Sequence, residues 1–260
     1  MDKDIISHND ILVLVPVYKK ELKPEEMEYF NHNCSIFRKY PLMLVAPNKL
    51  DVTAYCQRIN LNVEYFPTEF FRNVAGYNKL MLSPQFYERF QEYKYILICQ
   101  TDAFVFKDEL LEWCAKGYDY VGAPWVNKSF FLFQYIWVKT GLKNALQLLF
   151  RHNIKRAVGN GGLSLRKVST FLNVLKNDSD AARWEANEDF YWSFFAKYRG
   201  QYLKKPAAEE AGLFSIELSP RKIMKRQNGV LPVGIHAWEK IDPEFWKPFI
   251  QQVLKKHNDK

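Results

Sequence analysis

One stretch, residues 93–106, constrains the fold most, because it is an apolar run interrupted by a single polar triplet. It reads YKYILICQTDAFVF, with Gln100, Thr101 and Asp102 between Ile98 and Phe104. Short runs rich in β-branched and aromatic residues are typical of buried strands. Ligands of open α/β sheets collect beyond the carboxyl ends of strands, so Asp102 is placed to meet a cation or a sugar hydroxyl. The alternative is that Asp102 only caps the following turn.

Three earlier runs predict further strands, at residues 11–17, 42–46 and 62–66. One helical stretch begins at Pro24, between the first and second runs. A shorter one covers residues 51–58, between the second and third. This alternation is typical of parallel strands with helices on both faces of the sheet. With 260 residues and 48% hydrophobic content, we expect a single α/β domain.

Several protein classes are disfavoured by composition. The four cysteines are widely separated, which argues for reduced thiols in a cytoplasmic protein rather than a disulfide scaffold or a zinc site. The first ten residues are polar and acidic, unlike a signal peptide, and no run reaches the length of a membrane span. The net charge of +8 suits an anionic partner, but no nucleic-acid recognition motif accompanies the basic clusters.

Other candidate residues occur singly along the chain. Lys79, near the start of a predicted helix, could reach a phosphate, although a solvated surface lysine is the commoner explanation. Residues 158–166 carry three glycines in four positions, which permits close approach of another molecule or simply a tight turn. Residues 221–226 are predicted to form a basic loop.

Carboxylates cluster at residues 184–191, which contain Glu185, Glu188 and Asp189 at the start of a helical stretch. They either complement the helix dipole or provide a general base. His236 follows an apolar run much as Asp102 does, and such a pair is a credible set of metal ligands. A final amphipathic helix is predicted after Asp242.

Residues 127–156 contain six Lys or Arg, several aromatic residues and no acidic residue. This composition is typical of a segment at a membrane surface, with aromatic side chains for the acyl boundary and cations for anionic headgroups. An ordinary amphipathic helical layer packed on the sheet explains it equally well.

Together, four motifs resemble glycosyltransferases of the GT-A fold, and more narrowly a largely uncharacterised bacterial family of glycosyltransferases. The motifs are QTDAFVF at residues 100–106, YDYVGAPW at 118–125, GNGGLSLR at 159–166 and Glu188-Asp189. The resemblance implies a mixed central sheet of Rossmann type flanked by helices. It divides the single domain into a nucleotide-sugar-binding half (residues 1–106), an acceptor half (107–240) with a helical insertion at 127–156, and a C-terminal helix (241–260).

The resemblance also implies roles for individual residues. Pro16, Val17 and Tyr18 would line the nucleoside pocket, and Gly161 and Gly162 would border the donor sugar. Asp102 would match the last carboxylate of a DxD motif that binds Mn²⁺ or Mg²⁺. His236 would complete that metal site. Asp189 beside Glu188 would match the base of inverting members.

One position departs from the family pattern, because Gln100 stands where the first DxD carboxylate is expected. Metal dependence is therefore open, and Lys79 or the basic residues 221–226 could stabilise the leaving diphosphate instead.

The resulting hypothesis is transfer of a sugar from a nucleotide sugar to a bacterial surface glycan or a lipid-linked saccharide, at the inner face of the membrane. A sugar-1-phosphate nucleotidyltransferase is an alternative, as is a binding module that has lost catalysis.

Overall fold

A mixed β-sheet forms the centre of the computed structural model, which describes residues 5–57, 61–125, 129–149 and 158–258. In chain order the strands are β1 (Ile11–Pro16), β2 (Leu42–Pro47), β3 (Asn62–Phe66), β4 (Tyr95–Cys99), β5 (Ala103–Val105), β6 (Tyr120–Pro124), β7 (Val158–Lys167), β8 (Lys197–Tyr198), β9 (Gln201–Tyr202), β10 (Ser215–Ile216) and β11 (Gly234–His236).

The central sheet has six strands in the order β3-β2-β1-β4-β7-β6. The first four run parallel, as the alternation of strands and helices predicts, and β7 is antiparallel to both β4 and β6. The predicted α/β fold with a mixed central sheet is thereby confirmed. Strands β1 and β4 are buried along their whole length, which explains why their sequences are continuously apolar.

The run at residues 93–106 is two strands rather than one. β4 belongs to the central sheet, while β5 belongs to a small sheet with the order β10-β11-β5. Gln100, Thr101 and Asp102 form the turn at which the chain passes between the sheets. β11 pairs antiparallel with β5, with His236 opposite Ala103, so sheet pairing places His236 next to Asp102.

Helices cover both faces of the central sheet. They are α1 (Pro24–Ile36), α2 (Thr53–Cys56), α3 (Val74–Met81), α4 (Pro84–Glu88), α5 (Leu110–Ala115), α6 (Ser129–Thr140), α7 (Leu142–Leu149), α8 (Val168–Asn177), α9 (Ser179–Ala182), α10 (Glu188–Phe190), α11 (Ala208–Phe214), α12 (Pro220–Arg226), α13 (Trp238–Ile241) and α14 (Pro243–Asn258). A π-helical turn, Tyr191–Phe195, follows α10.

Alternate residues of β4 pack into different hydrophobic cores, because successive side chains of a strand point to opposite faces of the sheet. Ile96 and Ile98 pack with side chains of α4 and α8, whereas Leu97 and Cys99 pack with α5 and α11.

Two local predictions have different outcomes. The amphipathic helix after Asp242 is confirmed as α14, with Trp246 buried. The basic loop at residues 221–226 is wrong, because this segment is helix α12. Pro220 occupies its first position, where proline favours helix initiation, and Ile223 and Met224 are buried in the core beneath it.

Candidate functional site

Five polar side chains meet beyond the carboxyl end of β4, and we call them the histidine cluster. His236 is central: Nε2 lies 3.1 Å from Asp102 Oδ1 and 3.1 Å from Gln100 Oε1, and Nδ1 lies 2.9 Å from Glu217 Oε2. Lys240 Nζ donates to Asp102 Oδ2 at 3.0 Å. The predicted pair of Asp102 and His236 is therefore brought together, with an amide and two further charged groups.

The charges of the histidine cluster support one another. Burial lowers the pKa of His236, but hydrogen bonds with Asp102 and Glu217 raise it to about 9. Burial raises the pKa of Asp102, yet hydrogen bonds from His236 and Lys240 hold it well below its usual range. Asp102 is therefore ionised, and both nitrogens of His236 face oxygen acceptors.

The glycines of the GNGGLSLR motif allow β7 to pass close to this cluster. The stretch is strand throughout, so the tight turn considered above is wrong, and only Gly159 of the three has a positive φ, at +123°. A Cβ on Gly162 would lie 2.0 Å from His236 Nε2, and one on Gly161 would lie 2.5 Å from Glu188 Oε1. Because Gly161 and Gly162 have no side chains, there is room beside them for the side chains of Glu188 and His236.

Glu188 is engaged in a buried ion pair with Arg166, the last residue of the same motif. The Glu188 carboxylate accepts from Arg166 at 2.9 and 3.4 Å. Arg166 also donates to Tyr87 at 2.9 Å and to Ser164 at 3.1 Å. Burial raises the pKa of Glu188, and Arg166 opposes that rise. This arrangement fixes the turn that carries Asp189.

Asp189 has a different environment. Its Oδ1 is buried and has no hydrogen-bond partner among the described residues. Burial raises its pKa well above the usual range, and the carboxylates of Glu188 and Glu217 raise it further. A carboxyl group with a raised pKa beside a charged cluster is typical of a general acid or base. The π-helical turn follows directly, and such turns occur frequently at functional sites.

Comparison with known proteins places the sequence in a family. A family model described as "Protein of unknown function (DUF5672)" matches residues 60–236, more than half of the chain. The chain belongs to the DUF5672 family. The matched range contains the four motifs of the sequence analysis and ends at His236. No curated protein matches the sequence.

Solved structures show that the DUF5672 fold is shared with glycosyltransferases. The bifunctional glycosyltransferase WbbM, solved in its apo form, has a TM-score of 0.51 and 15% identity over 87% of this chain. This chain spans only 45% of WbbM. The galactosyltransferase LgtC, solved with donor and acceptor sugar analogues, has a TM-score of 0.51 and 12% identity over 86% of each chain. These likenesses show a GT-A-type fold in a single domain, as the sequence predicts.

The remaining predicted donor residues lie at or near the same edge of the sheet in this DUF5672 member, with one error. Pro16 and Val17 are buried at the end of β1, whereas Tyr18 is 60% exposed there. Thr101 is half-buried in the turn after β4. The placement of Lys79 at a helix start is wrong, since Lys79 lies exposed in the last turn of α3, away from the free N–H groups.

Helix α3 contributes other side chains to the site. Asn78 Oδ1 accepts from the Glu188 N–H at 3.3 Å. Burial raises the pKa of Tyr77 to about 12, and the nearby positive charge of Arg166 opposes that rise.

Glu217 and Lys240 are the functional residues that sequence reasoning missed. Glu217 follows the two-residue strand β10, and Lys240 lies in the four-residue helix α13. Neither element has a periodic pattern. The sequence therefore carries no signal that identifies either residue.

Three side chains of the histidine cluster are of the types that bind divalent cations. Among the described residues no three His, Cys, Asp or Glu side chains are grouped to hold a metal. The Gln100 amide oxygen, an Asp102 oxygen and His236 Nε2 nevertheless converge, and the Glu217 carboxylate binds the other ring nitrogen, as carboxylates commonly do behind a metal-bound histidine. These residues would hold Mn²⁺ or Mg²⁺ with an amide in place of the first carboxylate, provided that the metal displaces the proton on His236 Nε2.

A cleft of about 1080 Å³ lies elsewhere, where β4 begins and β7 ends. It includes Lys94, Tyr95 and Lys167 but none of the predicted site residues. The histidine cluster therefore lies at the other end of β4 from this cleft.

Proposed function

We propose that this DUF5672 protein is a glycosyltransferase that moves a sugar from a nucleotide sugar to a saccharide or lipid-linked saccharide acceptor, such as a bacterial surface-glycan precursor. The observation that carries the proposal is the convergence of Gln100, Asp102 and His236 beside Gly162, with Glu188 beside Gly161 and Asp189 next to it in the chain. A cationic group for the departing diphosphate and a carboxylate for the acceptor are the two requirements of glycosyl transfer.

The donor half consists of residues 1–106, with β1 and β4 ending at the donor site. Pro16 and Val17 form the floor of the nucleoside pocket, and the exposed ring of Tyr18 stacks on the base. Gln100, Asp102 and His236 would hold a divalent cation. The chemistry that a bound cation supplies at such a site is neutralisation of diphosphate charge.

Lys240 contributes positive charge from the chain itself. Its ammonium group lies 3.0 Å from Asp102 Oδ2 and its side chain is 74% exposed, so it is accessible to a phosphate at the mouth of the site. The basic helix α12 and Lys79 are more remote candidates for the same task.

On the acceptor side, Asp189 in its ionised form takes the proton from the attacking hydroxyl, and its raised pKa makes that ionised form a stronger base. Its unpartnered Oδ1 is the receiving atom, and Glu188 holds the turn through Arg166. A base that activates the acceptor on the side of the anomeric carbon opposite the departing diphosphate gives inversion, which is the outcome we propose. Residues 107–240 provide this half, and α14 packs behind β11.

The test is calorimetric binding of UDP-, GDP-, CMP- and dTDP-sugars with and without Mn²⁺ or Mg²⁺. We expect one nucleotide class to bind the parent, and expect Asp102→Asn and His236→Ala to lose the metal-dependent part of that affinity. Asp180→Asn, an exposed aspartate of α9, is the matched control. Equal binding by the parent and both site variants would contradict the proposal.

Activity measurements distinguish a glycosyltransferase from a binding module that has lost catalysis. Donor hydrolysis or sugar transfer by the parent, abolished in Asp189→Asn with nucleotide binding retained, supports the base assignment. Tight nucleotide-sugar binding without any turnover would instead identify a binding module.

A further inference from the structure

Helices α6 and α7 form a hairpin with one buried side and one exposed apolar side. Ile136, Ala145 and Leu148 are fully buried and join the hairpin to the main core. Five other apolar side chains of the hairpin are exposed, and we call them the hairpin face: Trp137 (52% exposed), Val138 (76%), Leu142 (51%), Leu146 (39%) and Leu149 (48%). The ordinary packed layer therefore explains one side of the hairpin but not the other.

Exposed lysines accompany these apolar residues. Lys139 and Lys143 are both exposed beside the hairpin face, and residues 127–156 contain no acidic side chain. Protein–protein interfaces normally surround their apolar core with a polar rim. Exposed aromatic and aliphatic side chains among cations alone are complementary to an anionic lipid surface.

We infer that the hairpin face docks on an anionic phospholipid bilayer. Within the described residues no helix has both the length and the apolarity to cross a bilayer, so this contact is interfacial. The apolar side chains enter the boundary between headgroups and acyl chains, and Lys139 and Lys143 contact the headgroups.

The hairpin is connected to the proposed acceptor side. The Tyr135 hydroxyl donates to Asn187 Oδ1 at 3.0 Å, and its ring meets Phe190 at a centroid distance of 5.3 Å. Asn187 directly precedes Glu188 and Asp189. Docking of the hairpin face therefore brings the acceptor carboxylate towards the lipid surface, where a lipid-linked saccharide would be presented.

This inference goes beyond the proposed function and is tested without it. The assay is co-sedimentation of the full chain with vesicles of phosphatidylcholine alone or of equimolar phosphatidylcholine and phosphatidylglycerol, at low and high salt. We expect salt-sensitive binding to the anionic vesicles only. Lys139→Glu with Lys143→Glu should weaken it at least roughly 30-fold, given about one factor of five for each cation removed.

Two further variants complete the experiment. Trp137→Ser with Leu142→Ser should also lose binding, since the apolar contact is removed. Arg38→Glu with Lys39→Glu changes the same number of charges at another exposed site and should leave binding intact. Circular dichroism confirms folding of each variant.

Absence of binding by the parent, or equal loss in the control pair, would overturn the inference. Self-association of the parent that the Trp137 and Leu142 changes abolish, without vesicle binding, would assign the face to a protein contact and would also overturn it. Nucleotide binding is measured in parallel, so failure of the membrane contact and failure of the proposed function are distinguishable.

Discussion

Glu188 and Asp189 are adjacent carboxylates in opposite environments, and isosteric amide substitutions distinguish them. Glu188→Gln removes the charge that neutralises Arg166, whose side chain is 0% exposed. Asp189→Asn removes a carboxyl group whose ionised form is disfavoured by burial and by two neighbouring carboxylates. The first change should therefore destabilise the fold and the second should not.

The magnitude follows from burial of the ion pair. Arg166 has no access to water, and the Glu188 side chain is only 5% exposed. Breaking such a pair by removing one partner costs about 3–5 kcal/mol, because the other charge stays buried and uncompensated. The Tyr87 and Ser164 contacts remain in Glu188→Gln, so we expect the lower part of that range. Asp189→Asn should be no less stable than the parent.

Urea denaturation at pH 7 measures both effects, and Glu185→Gln is the matched control. Glu185 lies three residues before Glu188 and is exposed, so its change should stay within about 0.5 kcal/mol. A Glu188→Gln variant as stable as Asp189→Asn would refute the assignment of Glu188 to the Arg166 pair.

The pH dependence gives an independent check on Asp189. Its pKa is raised in the folded state, so between the unfolded pKa of about 4 and the folded pKa the native protein holds a proton that the unfolded chain has released. Stability of the parent therefore falls as pH rises through this window, and Asp189→Asn removes that loss. The free energy of unfolding of Asp189→Asn, relative to that of the parent, should therefore increase from pH 4 upwards. A difference that decreases with pH would contradict the raised pKa.

Three further predictions concern the histidine cluster and the donor pocket. Gly162→Ala places a Cβ 2.0 Å from His236 Nε2 and should abolish any metal-dependent thermal shift with nucleotide; a preserved shift would contradict the assigned ligand set. Glu217→Gln should lower the pKa of His236 below about 9 in an NMR titration, because the carboxylate that raises it is lost; an unchanged pKa would exclude Glu217 as its cause. Tyr18→Ala should weaken nucleotide binding roughly 5- to 150-fold by calorimetry, while Tyr18→Phe retains affinity, because the proposed contact is stacking of the ring on the base.

Much of the fold could be predicted from residue patterns. The apolar runs of β1 to β4 identify buried strands because both faces of a parallel sheet exclude water. Asp102 could be placed at a strand end by the abrupt change from Cys99 to Gln100. Patterns failed at short elements: α12 was predicted as a loop because basic residues mask its short buried face, and Lys79 was assigned to the wrong end of α3.

The chain's sequence by itself determined the central sheet, the polar triplet after β4 and the glycines at positions 161 and 162. Only the tertiary structure decided how charges pair. Arg166 and Glu188 are 22 residues apart, and Gln100 and His236 are 136 apart. Such contacts depend on which strands become neighbours, and a carboxylate that binds a buried arginine cannot be told from a free one until its surroundings are known. That distinction is why Glu188 forms an ion pair while the neighbouring Asp189 Oδ1 has no hydrogen-bond partner among the described residues.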